Sequence, residues 1–97
     1  MRSLYDTAIK FFGETNQVNV AIEECSELIK ALCKLRRGGD LSSVFEEMAD
    51  VEIMLEQLKI IFDCENEVAV YRVKKLARLK EMMEEKKALG GSDEVKG

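Results

Sequence analysis

Histidine, proline and tryptophan are all absent from this chain of 97 residues, and only six glycines are present. Without histidine the chain cannot carry out Ser-His-Asp catalysis, form a histidine-bearing zinc site or build a Glu-x-x-His di-iron site. Proline and glycine seldom interrupt a sequence that is 46% hydrophobic and 35% charged, so the composition predicts an all-α protein. Its length corresponds to one modest domain.

The charge balance limits which molecules the protein can bind, and the cysteines indicate the cellular compartment in which it works. A net charge of −4 argues against a nucleic-acid polymer as partner, although a nucleotide whose phosphates a metal neutralises is still allowed. Three cysteines without a CxxC motif indicate reduced thiols. No signal peptide is visible, and no apolar run approaches the length of about 20 residues that spans a membrane. We therefore expect a soluble, cytoplasmic protein with no membrane partner.

Apolar residues recur at helical spacing in four segments, which predicts four helices packed antiparallel. The predicted segments are Ser3–Phe12, Gln17–Arg37, a third from Ser42 or Ser43 to Phe62, and Glu65–Lys87. These helices place the domain at 1–87 and leave 88–97, which contains Gly-Gly-Ser-Asp, as a predicted disordered tail.

Several residues predict where the helices begin and end. Gly13 ends the first helix, a polar stretch at 14–16 offers an N-cap for the second, and Gly38-Gly39 ends that helix. Ser43-Val-Phe-Glu46 matches the capping box of the third helix, and Asp63 is the predicted cap of the fourth.

Helices two and three carry more apolar residues than one face needs. The predicted main face of helix two contains Val18, Ile22, Cys25, Ile29 and Leu32, widened by Ala21, Leu28 and Leu35. The main stripe of helix three contains Val44, Met48, Val51, Leu55, Leu58 and Phe62, and a second stripe contains Phe45, Ala49, Ile53 and Ile60. A helix that is apolar on two faces is buried on both, so we expect a homodimer or homotetramer.

Two acidic pairs, Glu24 with Glu27 and Glu47 with Asp50, have the three-residue spacing that places side chains on one helix face. Glu47 and Asp50 share the angular sector of Met54, Leu58 and Ile61, and the first pair lies between Val20 and Ala31. Carboxylates among core positions are costly unless they are paired, protonated or bound to metal. The alternative is that these residues belong to solvated helix faces, as most acidic residues of so charged a chain do.

A cluster of carboxylates without histidine suits Mg²⁺, with Mn²⁺ as a substitute, because both prefer oxygen ligands. Such an ion orients phosphates and acidifies a water molecule. The fourth helix supplies candidate phosphate donors on one side, namely Tyr71, Lys74, Lys75 and Arg78. Each of these side chains could equally be an ordinary solvated residue.

The sequence Glu23-Glu24-Cys25-Ser26-Glu27, followed after nineteen residues by Glu47-Met48-Ala49-Asp50, resembles the EExxE…ExxD pattern of MazG-like all-α nucleoside triphosphate pyrophosphohydrolases. The resemblance covers about 17–58 closely and the other helices loosely. It implies a four-helix MazG-like domain that oligomerises and hydrolyses nucleoside triphosphates, with Mg²⁺, between the α and β phosphates. The products that the resemblance implies are a nucleoside monophosphate and pyrophosphate.

The same resemblance implies roles for individual residues. Glu24, Glu27, Glu47 and Asp50 would be metal ligands, and Glu23 would assist as a ligand or orient the attacking water. The donors of the fourth helix would bind phosphate, and Asn16 and Gln17 would contact the base or sugar. Two alternatives stay open: a non-catalytic helical adaptor that dimerises, and a nucleotide sensor of the same fold that binds without turnover.

Overall fold

The computed structural model describes residues 2–90, and within them the chain forms four α-helices and no strand. The helices are α1 (Arg2–Phe12), α2 (Glu14–Arg36), α3 (Leu41–Ile61) and α4 (Glu65–Ala88). The chain divides into two compact units between Cys64 and Glu65, so that α1 to α3 form one unit and α4 belongs to the other. The predicted all-α class is confirmed. Most of the predicted tail, 91–97, lies outside the described residues.

The turn between α2 and α3 explains why these helices fold back on each other. Gly39 N–H donates to the carbonyl of Lys34 at 2.8 Å, and Gly38 N–H donates to that of Leu35 at 3.0 Å. Together these bonds form the Schellman motif, in which Gly38 adopts the left-handed φ of 89°. A Cβ on Gly39 would lie 2.8 Å from the Lys34 carbonyl oxygen, so this position also requires glycine. The prediction that Gly38-Gly39 ends the second helix is confirmed.

The junction of α1 and α2 is shorter than predicted. We expected the second helix to begin near Gln17 after a polar linker, but α2 begins at Glu14 and Gly13 alone separates the helices. Gly13 has a φ of 93°, which glycine adopts without a steric penalty, so a single residue redirects the chain. As a result Asn16 and Gln17 lie in the first turn of α2.

Both predicted N-caps of the later helices are wrong. Asp40, and not Ser43, caps α3: its carboxylate accepts bonds from the Ser42 amide at 3.0 Å and the Ser42 hydroxyl at 2.7 Å. These two bonds, the hydroxyl bond first, lower the pKa of Asp40, and an ionised carboxylate suits the positive end of the helix dipole. Asp63 instead ends α3 with a φ of 51°, while Cys64 N–H donates to the Lys59 carbonyl.

The core of the first unit is the line of contact between α2 and α3, which we call the seam. On each helix its residues alternate by three and four positions, the spacing of a left-handed helix pair. The seam contains Gln17, Ala21, Glu24, Leu28, Ala31 and Leu35 of α2, and Val44, Glu47, Val51, Met54, Leu58 and Ile61 of α3, all buried or half-buried. α1 packs against both helices and buries Ile9.

The predicted main face of the second helix is therefore wrong. Ile22 and Ile29 are each 63% exposed, and Leu32 and Cys25 are exposed as well. The small side chains of Ala21 and Ala31 let α3 approach closely, so α2 packs through the face with alanines and leaves the bulkier residues outside. On α3, Met48, Leu55 and Phe62 of the predicted main stripe are exposed too.

These exposed apolar residues form a second surface, which we call the outer face. It contains Ile22, Cys25, Ile29 and Leu32 of α2, and Met48, Leu55 and Phe62 of α3. Viewed along each helix from its N-terminus to its C-terminus, these residues lie roughly a quarter turn from the seam residues, and the direction of rotation is the same for both helices. Because the two helices run antiparallel, both sets face the same side of the hairpin.

α4 contains no buried residue, although Val73, Leu76 and Met83 repeat at helical spacing along it. These three side chains are between 54% and 68% exposed, so the helix carries an apolar stripe on an otherwise charged surface. No helix within residues 2–90 has the length and apolar character needed to cross a membrane.

Candidate functional site

Three carboxylates meet in the middle of the seam. One oxygen atom from each of Glu24, Glu47 and Asp50 lies within 4.8 Å of the other two. Glu24 comes from α2, whereas Glu47 and Asp50 lie one turn apart on α3, so the antiparallel hairpin brings the two predicted acidic segments together. We call this group the carboxylate cluster.

Burial and mutual repulsion both disfavour negative charge in the cluster. Partial burial in the seam, followed by the charge of Asp50, raises the pKa of Glu24. The pKa of Glu47 is raised by the same two effects in the same order. Glu27 is not one of the three converging groups, but its charge contributes to the raised pKa of both Glu24 and Glu47. Glu27 therefore adds to the negative potential at the carboxylate cluster, although its own oxygens do not converge with the other three.

No lysine or arginine within residues 2–90 forms an ion pair with a member of the carboxylate cluster. Lys59, the basic residue at the end of α3, pairs instead with Glu56 at 2.9 Å. Glu23 is exposed and adds a weaker repulsion to Glu24. Within the part of the chain that the structure describes, no basic side chain thus neutralises the cluster through an ion pair.

The cluster has the donor type and nearly the spacing that a hard divalent cation requires. Mg²⁺ binds oxygen ligands at about 2.0–2.1 Å, so opposite ligands of an octahedral ion lie about 4.2 Å apart. The three oxygens, within 4.8 Å of one another, reach such a geometry by rotation of their side chains. Three protein ligands leave coordination positions for water and for a substrate oxygen. Asp50 is exposed, so this side of the cluster is open to a ligand.

The two amides that we assigned to base or sugar contact have different surroundings. Asn16 is exposed, and its Nδ2 donates to Gln17 Oε1 at 3.1 Å. Gln17 is only 5% exposed, and its Nε2 donates to Gln57 Oε1 at 2.8 Å. Both polar atoms of the Gln17 amide are therefore engaged within the first unit.

The candidate phosphate donors of α4 are all exposed. Lys74 Nζ lies 5.7 Å from the centre of the Tyr71 ring, a cation–π distance. Arg78 lies 3.5 Å from Glu81 and 3.8 Å from Glu85 of its own helix. Surface pairs of this kind contribute little energy, so Arg78 can exchange them for a stronger anion.

Neither a known protein family, a characterised protein nor a solved structure matches this chain in comparisons of its sequence and fold. The assignment of the site therefore depends on the geometry of the chain itself. Sequence reasoning overlooked one residue of interest, the buried Gln57 of α3. A polar residue among Met54, Leu58 and Ile61 is the signal that would have identified it.

Proposed function

We propose that this chain is a Mg²⁺-dependent nucleoside triphosphate pyrophosphohydrolase of the MazG-like type. It cleaves nucleoside triphosphates between the α and β phosphates and releases a nucleoside monophosphate and pyrophosphate. The observation that carries the proposal is the convergence of Glu24, Glu47 and Asp50 within 4.8 Å, with two of them half-buried and none paired with a basic residue of the described chain.

Physical chemistry supports a cation at this place. Half-buried carboxylates that repel one another and have no basic partner destabilise the fold unless a counter-charge is bound. Evolution tolerates such a cost where the arrangement has a function. A divalent ion bound by Glu24, Glu47 and Asp50 would supply positive charge to a triphosphate and acidify a water molecule.

The side chains of the protein have separate tasks in this proposal. Glu24, Glu47 and Asp50 hold the cation, while Glu27, which already acts electrostatically on two of them, adds a further oxygen ligand. Glu23 is exposed beside the cluster and orients the attacking water by accepting a hydrogen bond from it. The assignment of Lys74, Lys75 and Arg78 of α4 to phosphate binding stays a prediction from the sequence.

We also propose that the active form is a homo-oligomer. The outer face exposes Ile29 and Leu32 of α2 together with Met48 and Leu55 of α3, each between 44% and 63% exposed. A row of this kind on a hairpin matches another copy of the same hairpin, and the two would form a four-helix bundle.

Product analysis tests the reaction. The purified protein is incubated with a panel of nucleoside triphosphates and deoxynucleoside triphosphates, with Mg²⁺ and with excess chelator in parallel. We expect equal amounts of pyrophosphate and monophosphate from at least one substrate, and no product in the chelator. Orthophosphate with a nucleoside diphosphate would contradict α–β cleavage.

The alternative is a non-catalytic helical adaptor, or a sensor that binds a nucleotide without turnover. The same exposed residues of the outer face favour an adaptor, because its function would require only that surface. The adaptor predicts no Mg²⁺-dependent ligand binding, and the sensor predicts Mg²⁺-dependent binding with no product. Equilibrium dialysis with a non-hydrolysable triphosphate, with and without Mg²⁺, separates the two.

A further inference from the structure

A second polar feature, besides the carboxylate cluster, links α2 to α3: the hydrogen-bonded pair of Gln17 and Gln57. Both residues are buried, at 5% and 4% exposure, and their amides are joined by a hydrogen bond of 2.8 Å. Gln57 Nε2 lies 3.7 Å from the sulfur of Met54, and Asn16 Nδ2 donates a hydrogen bond to Gln17 Oε1. No buried side-chain polar atom in the described residues lacks a partner.

The position of this pair is related to that of the carboxylate cluster. Seven residues separate Gln17 from Glu24 on α2, and seven separate Gln57 from Asp50 on α3, in the opposite chain direction. Seven residues make about two turns, or about 10.5 Å of helix. The alignment of the helices that pairs the two amides is therefore the alignment that brings Glu24 to Asp50.

The two ends of the hairpin constrain this alignment in different ways. At one end the Gly38-Gly39 turn joins the helices covalently. At the other end no short turn joins α2 to α3, and the hydrogen bond of the glutamine pair links them. The carboxylate cluster lies between these two points, and its repulsion pushes the helices apart.

We propose that the glutamine pair is a positioning device that fixes the alignment of α2 with α3 and so assembles the carboxylate cluster. A buried amide pair is suited to this task because it discriminates between alignments. Apolar side chains tolerate sliding or rotation of one helix against the other, whereas a displaced glutamine leaves two buried amides without partners. The role of the cluster as a cation site rests on the proposed function, but the alignment itself does not.

Leucine substitutions test the proposal, because leucine approximates the volume of glutamine but cannot form the bond. The variants are Q17L, Q57L and the double variant Q17L/Q57L, with Leu35→Ala as a control that weakens the seam near the turn. Three properties are measured for each: the urea midpoint, the methyl NOEs between α2 and α3, and the affinity for Mn²⁺ from the amplitude of the free-ion EPR signal.

We expect each single variant to be less stable than the wild type, because one amide loses its partner, and the double variant to recover the lost stability. The double variant should nevertheless show more than one set of interhelical methyl NOEs and bind Mn²⁺ at least tenfold more weakly. The Leu35→Ala control should be less stable while it keeps a single NOE set and the wild-type affinity.

A double variant with the single wild-type set of NOEs would overturn the proposal. The proposal would also be overturned if the loss of Mn²⁺ affinity were proportional to the loss of stability in all four variants, the Leu35→Ala control included. If the wild type does not bind Mn²⁺, the proposed metal site fails, and the NOE comparison still decides whether the glutamine pair sets the alignment.

Discussion

The two sides of the α2–α3 hairpin use their residues in opposite ways. On α2 the seam buries Ala31 and Gln17 and half-buries Glu24, whereas the outer face exposes Ile22 and Ile29. A hairpin optimised only for its own stability would do the reverse, since each buried isoleucine contributes about 1.5–3 kcal/mol. We expect this difference if the seam holds the proposed cation site and the outer face binds a second copy of the chain.

The largest expected effect comes from the seam. Glu24→Gln and Asp50→Asn keep the shape of each side chain but remove a charged ligand, so we expect kcat/KM for triphosphate hydrolysis to fall at least about 100-fold. Even the outer partners of metal ligands cost about 10–100-fold when they are replaced. Steady-state assay of pyrophosphate release measures the effect.

Glu52→Gln is the matched control for these variants, since it changes the same kind of side chain at an exposed position of α3. It should leave kcat/KM within about twofold. Full activity in either Glu24→Gln or Asp50→Asn would show that the cluster is not the catalytic site.

The second effect concerns the close approach of the two helices. Ala31 is 8% exposed, so Ala31→Leu forces extra atoms into the seam and should destabilise the protein by about 1–3 kcal/mol. The same change at the exposed Ala49 of α3 should alter stability by less than about 0.5 kcal/mol. Urea unfolding compares the two variants, and equal midpoints would mean that α3 does not pack on the alanine face.

The third effect tests the outer face. Ile29→Lys places a charge in the surface that we propose to bury between copies, so it should raise the dimer dissociation constant at least tenfold, or about 1.4 kcal/mol. Asn19→Lys adds the same charge on the exposed polar side of α2 and should leave association unchanged. Sedimentation velocity over a dilution series measures the dissociation constants of the two variants. Identical profiles would show that the outer face is not part of the interface.

The smallest effect is the dependence of stability on pH. Burial first, and then the charge of Asp50, raise the pKa of Glu24 and Glu47 in the folded protein, so the folded state binds more protons than the unfolded state. Stability without divalent cations should therefore fall as the pH rises from the ordinary glutamate pKa through the raised values. In the presence of chelator, Glu47→Gln should make the stability less dependent on pH, as thermal unfolding at several pH values measures. An unchanged slope would show that Glu47 does not cause the pH dependence.

Much of the fold was predictable because it depends on local signals. Helical periodicity and the Gly38-Gly39 turn predict the hairpin, and the hairpin brings the helix of Glu24 alongside the helix of Glu47 and Asp50. The choice between two apolar faces of α2 was not predictable from hydrophobicity, which favours Ile22 over Ala21. That choice depends on how closely α3 approaches, a property of both helices together.

The caps and the glutamine pair were missed for related reasons. Ser43 and Asp40 both precede helical sequence, and the stronger acceptor, an ionised carboxylate bonded twice to Ser42, determines the first residue of α3. Gln57 stands beside Met54 and Leu58 in the helical pattern, but its hydrogen-bond partner Gln17 lies 40 residues away in the sequence, so the pair is not visible from local spacing.

The central claim is that Glu24, Glu47 and Asp50 together bind one kind of ligand, a divalent cation. Titration of Mn²⁺ into the wild type and Glu47→Gln, followed by the EPR signal of the free ion, measures this most directly. We predict that the wild type removes Mn²⁺ from solution in a fixed ratio to protein and that Glu47→Gln binds at least tenfold more weakly, with Glu52→Gln like the wild type. Equal binding by all three proteins, or none by the wild type, would contradict the claim.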